Sequence, residues 1–217
     1  MLVPIKVYSD YVCPYCILAK NALEKAASKY GLEVEYMPFE LRPYPTPTLR
    51  PEDDYMQNDW KNRVYPIAKK LGIKIVMPPF SPQPYTHLAF EGFQFAKENG
   101  KAKEYNDQVY RAFFQESLNI GEIDVLGNIA EKVGLNKKEF IHALKTRAYK
   151  EAHRKALHHA YFEAKIHVAP TFVIGNTVIK GMAYYETFEK IIQDEIKSTS
   201  VQDKTEGISC SIDGSCK

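Results

Sequence analysis

The sequence predicts an α/β fold in which a small mixed sheet, drawn from both ends of the chain, carries a large all-helical insertion. Three observations lead there. Strand-like runs lie at residues 2–9 and 32–39, and again at 171–174 and 177–180. Between them, Thr86 to Lys165 keeps helical periodicity throughout. The doublet Cys13-Pro14-Tyr15-Cys16 stands where the first strand gives way to the first helix.

The first run, LVPIKVYS, is apolar and β-branched enough for a buried strand. Ile17 to Tyr30 reads as helix, because Leu18, Ala22, Leu23, Ala26 and Ala27 recur at helical spacing and Gly31 stands at the stop. LEVEYMPF then alternates as a strand, which completes a βαβ unit. Nine of the thirteen prolines fall between Pro43 and Pro84. A missing donor and a fixed φ keep such clusters out of sheet interiors and helix middles. They are expected to be linkers around a short helix near residues 52–71, interrupted at Pro66.

Gly100, Gly121 and Gly134 divide the long helical stretch into four or five segments. Asn136 with Glu139 three residues on is a capping-box arrangement, and Asp124 is the expected N-cap of the helix before it. TFVI, a Gly175-Asn176 turn and TVIK form a hairpin, and a last helix is expected over roughly 184–197. From Ser198 onward the composition suits a loose tail. The expected organisation is therefore a discontinuous sheet domain (1–44 and 166–197), an inserted helical domain (45–165) and a flexible tail (198–217).

Composition narrows the function. Of 217 residues, 45% are hydrophobic, which suits a globular core. Lys and Arg total 29 against 27 Asp and Glu, so no net field steers the chain onto nucleic acid. No run approaches the ~20 apolar residues of a membrane helix. The first residues lack the features of a secretory signal, so a cytoplasmic setting is expected.

The four cysteines form two close pairs, Cys13/Cys16 and Cys210/Cys216. Closely spaced cysteines in a reducing compartment mean redox chemistry or metal more often than a structural staple. The first turn of a helix offers unpaired N–H groups and a positive dipole end, both of which favour a thiolate. Pro14 suits the first helical position, where its missing donor costs nothing. Cys16, three residues on, shares a face with Cys13 and can close a short disulfide. Cys13 is then the exposed attacking thiol and Cys16 the sheltered resolving thiol. The competing reading is a zinc site shared with Cys210 and Cys216, whose five-residue spacing is longer than usual.

The run Ser9-Asp10-Tyr11-Val12-Cys13-Pro14-Tyr15-Cys16 resembles the active-site signature of DsbA-like thioredoxin-fold proteins, and most closely their FrnE-like subgroup. The similarity continues at Phe39-Glu40-Leu41-Arg42-Pro43, at Val168-Ala169-Pro170-Thr171-Phe172-Val173-Ile174 and at Gly181. It implies a thioredoxin fold and a protein disulfide oxidoreductase or isomerase without an organic cofactor. It also implies that Pro170 is cis and lies against the cysteine pair. Ala169, with Pro14 and Tyr15, would then contact the substrate, by strand pairing along Ala169. Partners would be thiol- or disulfide-bearing protein clients, or glutathione-like thiols. A Pro-Tyr dipeptide resembles glutaredoxins rather than strong oxidants, and relatives often carry a β-branched residue where Ala169 stands. Two rivals remain: a glutathione-dependent isomerase or kappa-like transferase, and a non-catalytic zinc- or peptide-binding module.

Asp10 and Glu40 are the carboxylates nearest the site in this fold. They would either tune Cys16 or shuttle its proton, with ordinary solvated carboxylates as the more expected reading. His158 and His159, about 100° apart on a helix, cannot share a face, and all six histidines are expected to be structural or superficial. Phe90, Phe93, Phe95, Tyr110, Phe113 and Phe114 are expected to form the helical core, with a peptide groove as the alternative. Trp60 fits either. Cys210 and Cys216 are candidates for an auxiliary redox pair that relays to the first. No metal ligands are assigned.

Overall fold

Pro4 has no N–H to offer a neighbouring strand, and β1 (Ile5–Ser9) begins directly after it, later than the sequence suggests. The structure, a computed structural model, describes residues 3–202. Cys210, Cys216 and the part of the expected tail beyond residue 202 lie outside the described residues.

Strand β2 (Val34–Pro38) runs parallel to β1, with Ile5 opposite Val34 and Ser9 opposite Pro38. On the other side of β1, β3 (Thr171–Ile174) is antiparallel, and it turns into β4 (Thr177–Lys180). The sheet is mixed, in the order β2-β1-β3-β4. The strand leading to the cysteines is thus paired along both edges, which gives the site a rigid base.

Successive side chains of a strand point to opposite faces. Ile5 and Val7 join Phe172 and Ile174 in the main core. That core is closed by helix α1 (Pro14–Lys29) and the last helix, α9 (Tyr185–Gln202). Phe188 of α9 meets Phe172 edge-on at 4.8 Å between ring centroids, and Lys29 pairs with Glu189 to join the two helices. Tyr8 faces the other way, into a smaller cluster with Phe39, Ala160 and Ile166. Helix α1 stops at Gly31, whose φ of 65° lets the Leu32 N–H turn back to the Ala27 carbonyl.

The insertion differs from expectation at its start. Helix α2 (Asp54–Asp59) passes through a π-helical turn, Trp60–Val64, into α3 (Tyr65–Leu71) without a break at Pro66. The wider turn absorbs the missing donor and leaves Pro66 in the first turn of α3, where proline is tolerated. Helices α4 (His87–Glu98), α5 (Ala102–Phe114), α6 (Ile123–Lys132), α7 (Lys137–Lys145) and α8 (Lys150–His158) follow, and α8 ends in a second π-helical turn, His159–Glu163. Phe90, Phe93, Phe95, Tyr110, Phe113 and Phe114 are all buried in one apolar cluster that also contains Val7 of β1 and Leu18 of α1. They are core, not a groove.

Asn136 caps α7 as expected, accepting from the Lys138 and Glu139 N–H groups, and its amide reaches the Glu139 carboxylate. Asp124 is not the cap of α6. Glu122 holds that position, because the Gly121 N–H is already turned onto Asn119 Oδ1 at 3.0 Å and the helix starts earlier. Helix α9 also runs beyond residue 197 to Gln202. Ser198 and Thr199 donate their hydroxyls to the Asp194 and Glu195 carbonyls at 2.9 Å, which suits helix rather than coil. Among the described residues no helix is long and apolar enough to cross a membrane.

Candidate active site

Three residues separate the end of β1 from Cys13, and the insertion holds them. The Cys13 N–H returns to the Asp10 carbonyl at 3.1 Å, closing the turn. Tyr11 lies between Phe90 of α4 and Tyr110 of α5, with ring centroids 4.5 and 5.1 Å away. The Tyr110 hydroxyl donates to the Asp10 carbonyl at 3.3 Å. Cys13 then caps α1 in extended conformation with Pro14 in the first turn, and the Cys16 N–H meets the Cys13 carbonyl at 3.1 Å. Both cysteines are free thiols.

The second wall comes from the far end of the chain. The Ala169–Pro170 peptide is cis, and the Cys13 thiol donates to the Ala169 carbonyl at 3.5 Å. Pro170 fixes this loop to the hairpin by accepting the Gly181 N–H at 2.8 Å.

Between these walls lies a cleft of about 250 Å³. Cys13, Pro14, Tyr15 and Ala169 line it, with Met56 and Trp60 of the insertion opposite. Leu41, Tyr55 and Val168 form an exposed apolar rim. Cys13 is less exposed than expected, at 5% against 4% for Cys16. What distinguishes the two thiols is direction, since Cys13 lines the cleft and Cys16 does not. Tyr15 is half-buried. Its hydroxyl donates to Asp59 Oδ1 and Oδ2 at 2.9 and 3.0 Å, and Arg63 also holds Asp59.

Beneath the cysteines is a chain of buried polar groups. Burial pushes the Cys16 thiol well above its ordinary range, and the adjoining Cys13 sulfur adds to the effect. Asp10 is 1% exposed, and its carboxyl is pushed up to about 7, first by burial and then by Glu40, against the pull of the Leu41 N–H. That N–H meets Asp10 Oδ2 at 2.7 Å. Glu40, also buried, places Oε1 2.6 Å from His153 Nε2. The solvated-carboxylate reading is therefore wrong for both acids.

The chain matches the DSBA-like thioredoxin domain over residues 4–193. It belongs to that family. The DsbA-like chain is 55% identical to the uncharacterized Bacillus subtilis protein YwbO over 198 residues, covering 91% of this chain and 99% of that one. It is 24% identical to a 2-hydroxychromene-2-carboxylate isomerase of Pseudomonas putida, covering 82% and 88% of the two chains. A probable DsbA oxidoreductase from Streptomyces coelicolor superimposes with a TM-score of 0.78 at 21% identity, over 99% of this chain and 98% of that one. That likeness confirms the thioredoxin fold.

In the DsbA-like chain, Asp10, Cys13, Pro14, Tyr15 and Ala169 line one cleft, whereas Cys16, Pro170 and Glu40 do not line it. Cys210 and Cys216 lie outside the described residues. Sequence reasoning missed Asp59 and the buried contact of His153 with Glu40. A faint signal existed for the latter: His153, Leu157 and Ala160 repeat at helical spacing, which places the imidazole on the inward stripe of α8.

Proposed function

We propose that this DsbA-like protein is a thiol–disulfide oxidoreductase that exchanges disulfides with thiol- or disulfide-bearing clients through Cys13 and Cys16. The observation carrying this reading is the placement of Cys13 at the start of α1, lining a cleft and 3.5 Å from the Ala169 carbonyl, with Cys16 one turn deeper.

Cys13 stands at the start of α1, and a helix start offers unpaired N–H groups and a positive dipole end to an anion. The Cys13 thiolate attacks a client disulfide. The client S–S bond breaks, one client sulfur leaves with the electron pair, and a Cys13–client disulfide forms. Cys16 then loses its proton and attacks the Cys13 sulfur, which releases the second client thiol and leaves Cys13–Cys16 oxidised. Run backwards, the same steps give a disulfide to a client dithiol. We assign the Cys16 proton to Asp10, whose buried carboxyl, pushed up to about 7, exchanges protons readily at neutral pH.

The apolar rim of Leu41, Tyr55 and Val168 suits an extended segment of a protein client, with its backbone along Ala169. The narrow cleft also admits the thiol arm of a glutathione-like molecule. The FrnE-like subgroup and a cytoplasmic setting belong to the same proposal, and they rest on the sequence signature.

The likeness to the Pseudomonas isomerase supports a second reading, a glutathione-dependent isomerisation in the same cleft. One experiment separates them. A Cys16→Ser variant should trap a stable Cys13–client disulfide, and Cys13→Ser should abolish all exchange. Isomerase activity that survives Cys13→Ser would favour the second reading.

A further inference from the structure

The polar chain beneath Cys16 does not end at Asp10. Asp10 lines the cleft that holds Cys13, whereas Glu40 and His153 line a second depression of about 470 Å³ beside α4 and α8. The two openings share no lining residue. A client joined to Cys13 would cover the first opening at the moment Cys16 must lose its proton, and would leave the second uncovered.

We propose that His153 is a positioning residue for the resolving step, holding Glu40 so that the proton passed from Cys16 to Asp10 leaves through this second opening. The proposal rests on the disulfide-exchange reading above. In that step the Cys16 proton passes to the Asp10 carboxylate and the Cys16 sulfur bonds to Cys13. The Cys13–client bond breaks and the client sulfur leaves with the electron pair. Asp10 then returns its proton to solvent by way of the Glu40–His153 pair.

The geometry supports the outer links of this path. The Leu41 N–H fixes Asp10 against the peptide that follows Glu40, and Glu40 is close enough for its charge to raise the Asp10 carboxyl. The 2.6 Å contact between Glu40 Oε1 and His153 Nε2 is short, as charge-assisted hydrogen bonds are. The imidazole is locked by stacking on Phe90 at 5.4 Å between centroids, and its Nδ1 has no hydrogen-bond partner among the described residues.

The surrounding charges leave Glu40 as the partner of His153. From α4, Glu91 faces the same depression but is held by Arg147 through three contacts of 2.6–3.1 Å. His87, also from α4, is kept below its ordinary range, first by burial. From the π-helical turn after α8, the Tyr161 hydroxyl donates to the Glu40 backbone carbonyl. Lys150 and Arg154 of α8 stand at the rim.

The test uses the full chain with glutathione disulfide as the probe. Acid-quenched mass spectrometry follows formation and then resolution of the Cys13–glutathione adduct at pH 7 in unaltered, His153→Ala and His153→Gln proteins. Resolution should slow at least tenfold in both variants, while adduct formation stays within about twofold. Added imidazole should restore resolution in His153→Ala, whose vacated ring position opens into the second depression. It should not act on His153→Gln, which fills that position without a transferable proton. Unchanged resolution in either folded variant would overturn the proposal. So would slow resolution that imidazole does not restore. If the unaltered protein formed neither the adduct nor a Cys13–Cys16 disulfide, the exchange reading itself would be defeated.

Discussion

The Tyr15 hydroxyl bridges both carboxylate oxygens of Asp59, tying the dipeptide between the two cysteines to helix α2. Asp59 is 6% exposed and has Arg63 as its second partner, at 2.6 Å. A hydrogen bond to a charged acceptor contributes roughly 1.5–3 kcal/mol. Tyr15→Phe should therefore lower stability by about 1–2 kcal/mol, the low end suiting a partly exposed tyrosine. Amide hydrogen exchange should speed up in α2 and in the π-helical turn after it. Unchanged exchange there would mean that the insertion does not depend on this bond.

Asp10 makes the stability of the fold pH-dependent. Its folded value is about 7 and the ordinary value is 3.8. Between those values the folded chain holds a proton that the unfolded chain has lost, so stability falls as pH rises through that window and levels off above it. Below the ordinary value both states are protonated and the penalty vanishes. At about 1.4 kcal/mol per pKa unit, the full penalty is on the order of 4 kcal/mol at pH 8. Asp10→Asn keeps an acceptor for the Leu41 N–H and removes the charge. Denaturant titrations should find it more stable than the parent at pH 8 and equal to it near pH 4. A constant difference at both pH values would contradict the assignment.

Arg147 holds Glu91 with both ends of its guanidinium while its own backbone sits at a φ of 56°. Glu91 is 1% exposed, so Arg147→Ala strands a buried carboxylate and should cost about 3 kcal/mol. Arg147→Gly loses the same pair but suits the backbone, and should be about 1 kcal/mol more stable than the alanine variant. Thermal unfolding of the two variants separates the side-chain and backbone contributions.

Gly92 of α4 stands where Tyr105 and Phe140 close on the helix, and a Cβ there would meet both rings. Gly92→Ala should cost about 1–3 kcal/mol through overpacking, despite alanine's better helix propensity. A rise in the unfolding midpoint would show that α4 has room.

The sheet was legible because β1 is buried on both faces and the β3–β4 turn carries Gly175-Asn176, each a local pattern in a few adjacent residues. The cysteine pair was legible for the same reason, and the position of Pro170 came with the family resemblance. Polar contacts between distant elements left no such mark. Glu40 and His153 are 113 residues apart, and Tyr15 and Asp59 are 44 apart. Glu195 of α9 supports the hairpin turn, accepting from the Asn176 N–H at 3.2 Å and the Thr177 hydroxyl at 2.6 Å, with nothing in either segment to announce it. Such pairs depend on how helices dock, which periodicity does not encode. Pro66 misled for a related reason: a π-helical turn hides the break that a proline normally makes.

The central claim is that Cys13 and Cys16 act as one redox couple. The most direct measurement equilibrates a Cys210→Ser/Cys216→Ser variant in glutathione buffers of graded potential, quenches with acid, alkylates, and counts modified thiols by mass. The account predicts that both thiols appear and disappear together in one reversible two-electron transition, tenfold in the equilibrium constant per about 30 mV. Thiols that titrate separately, or that no buffer interconverts, would contradict it.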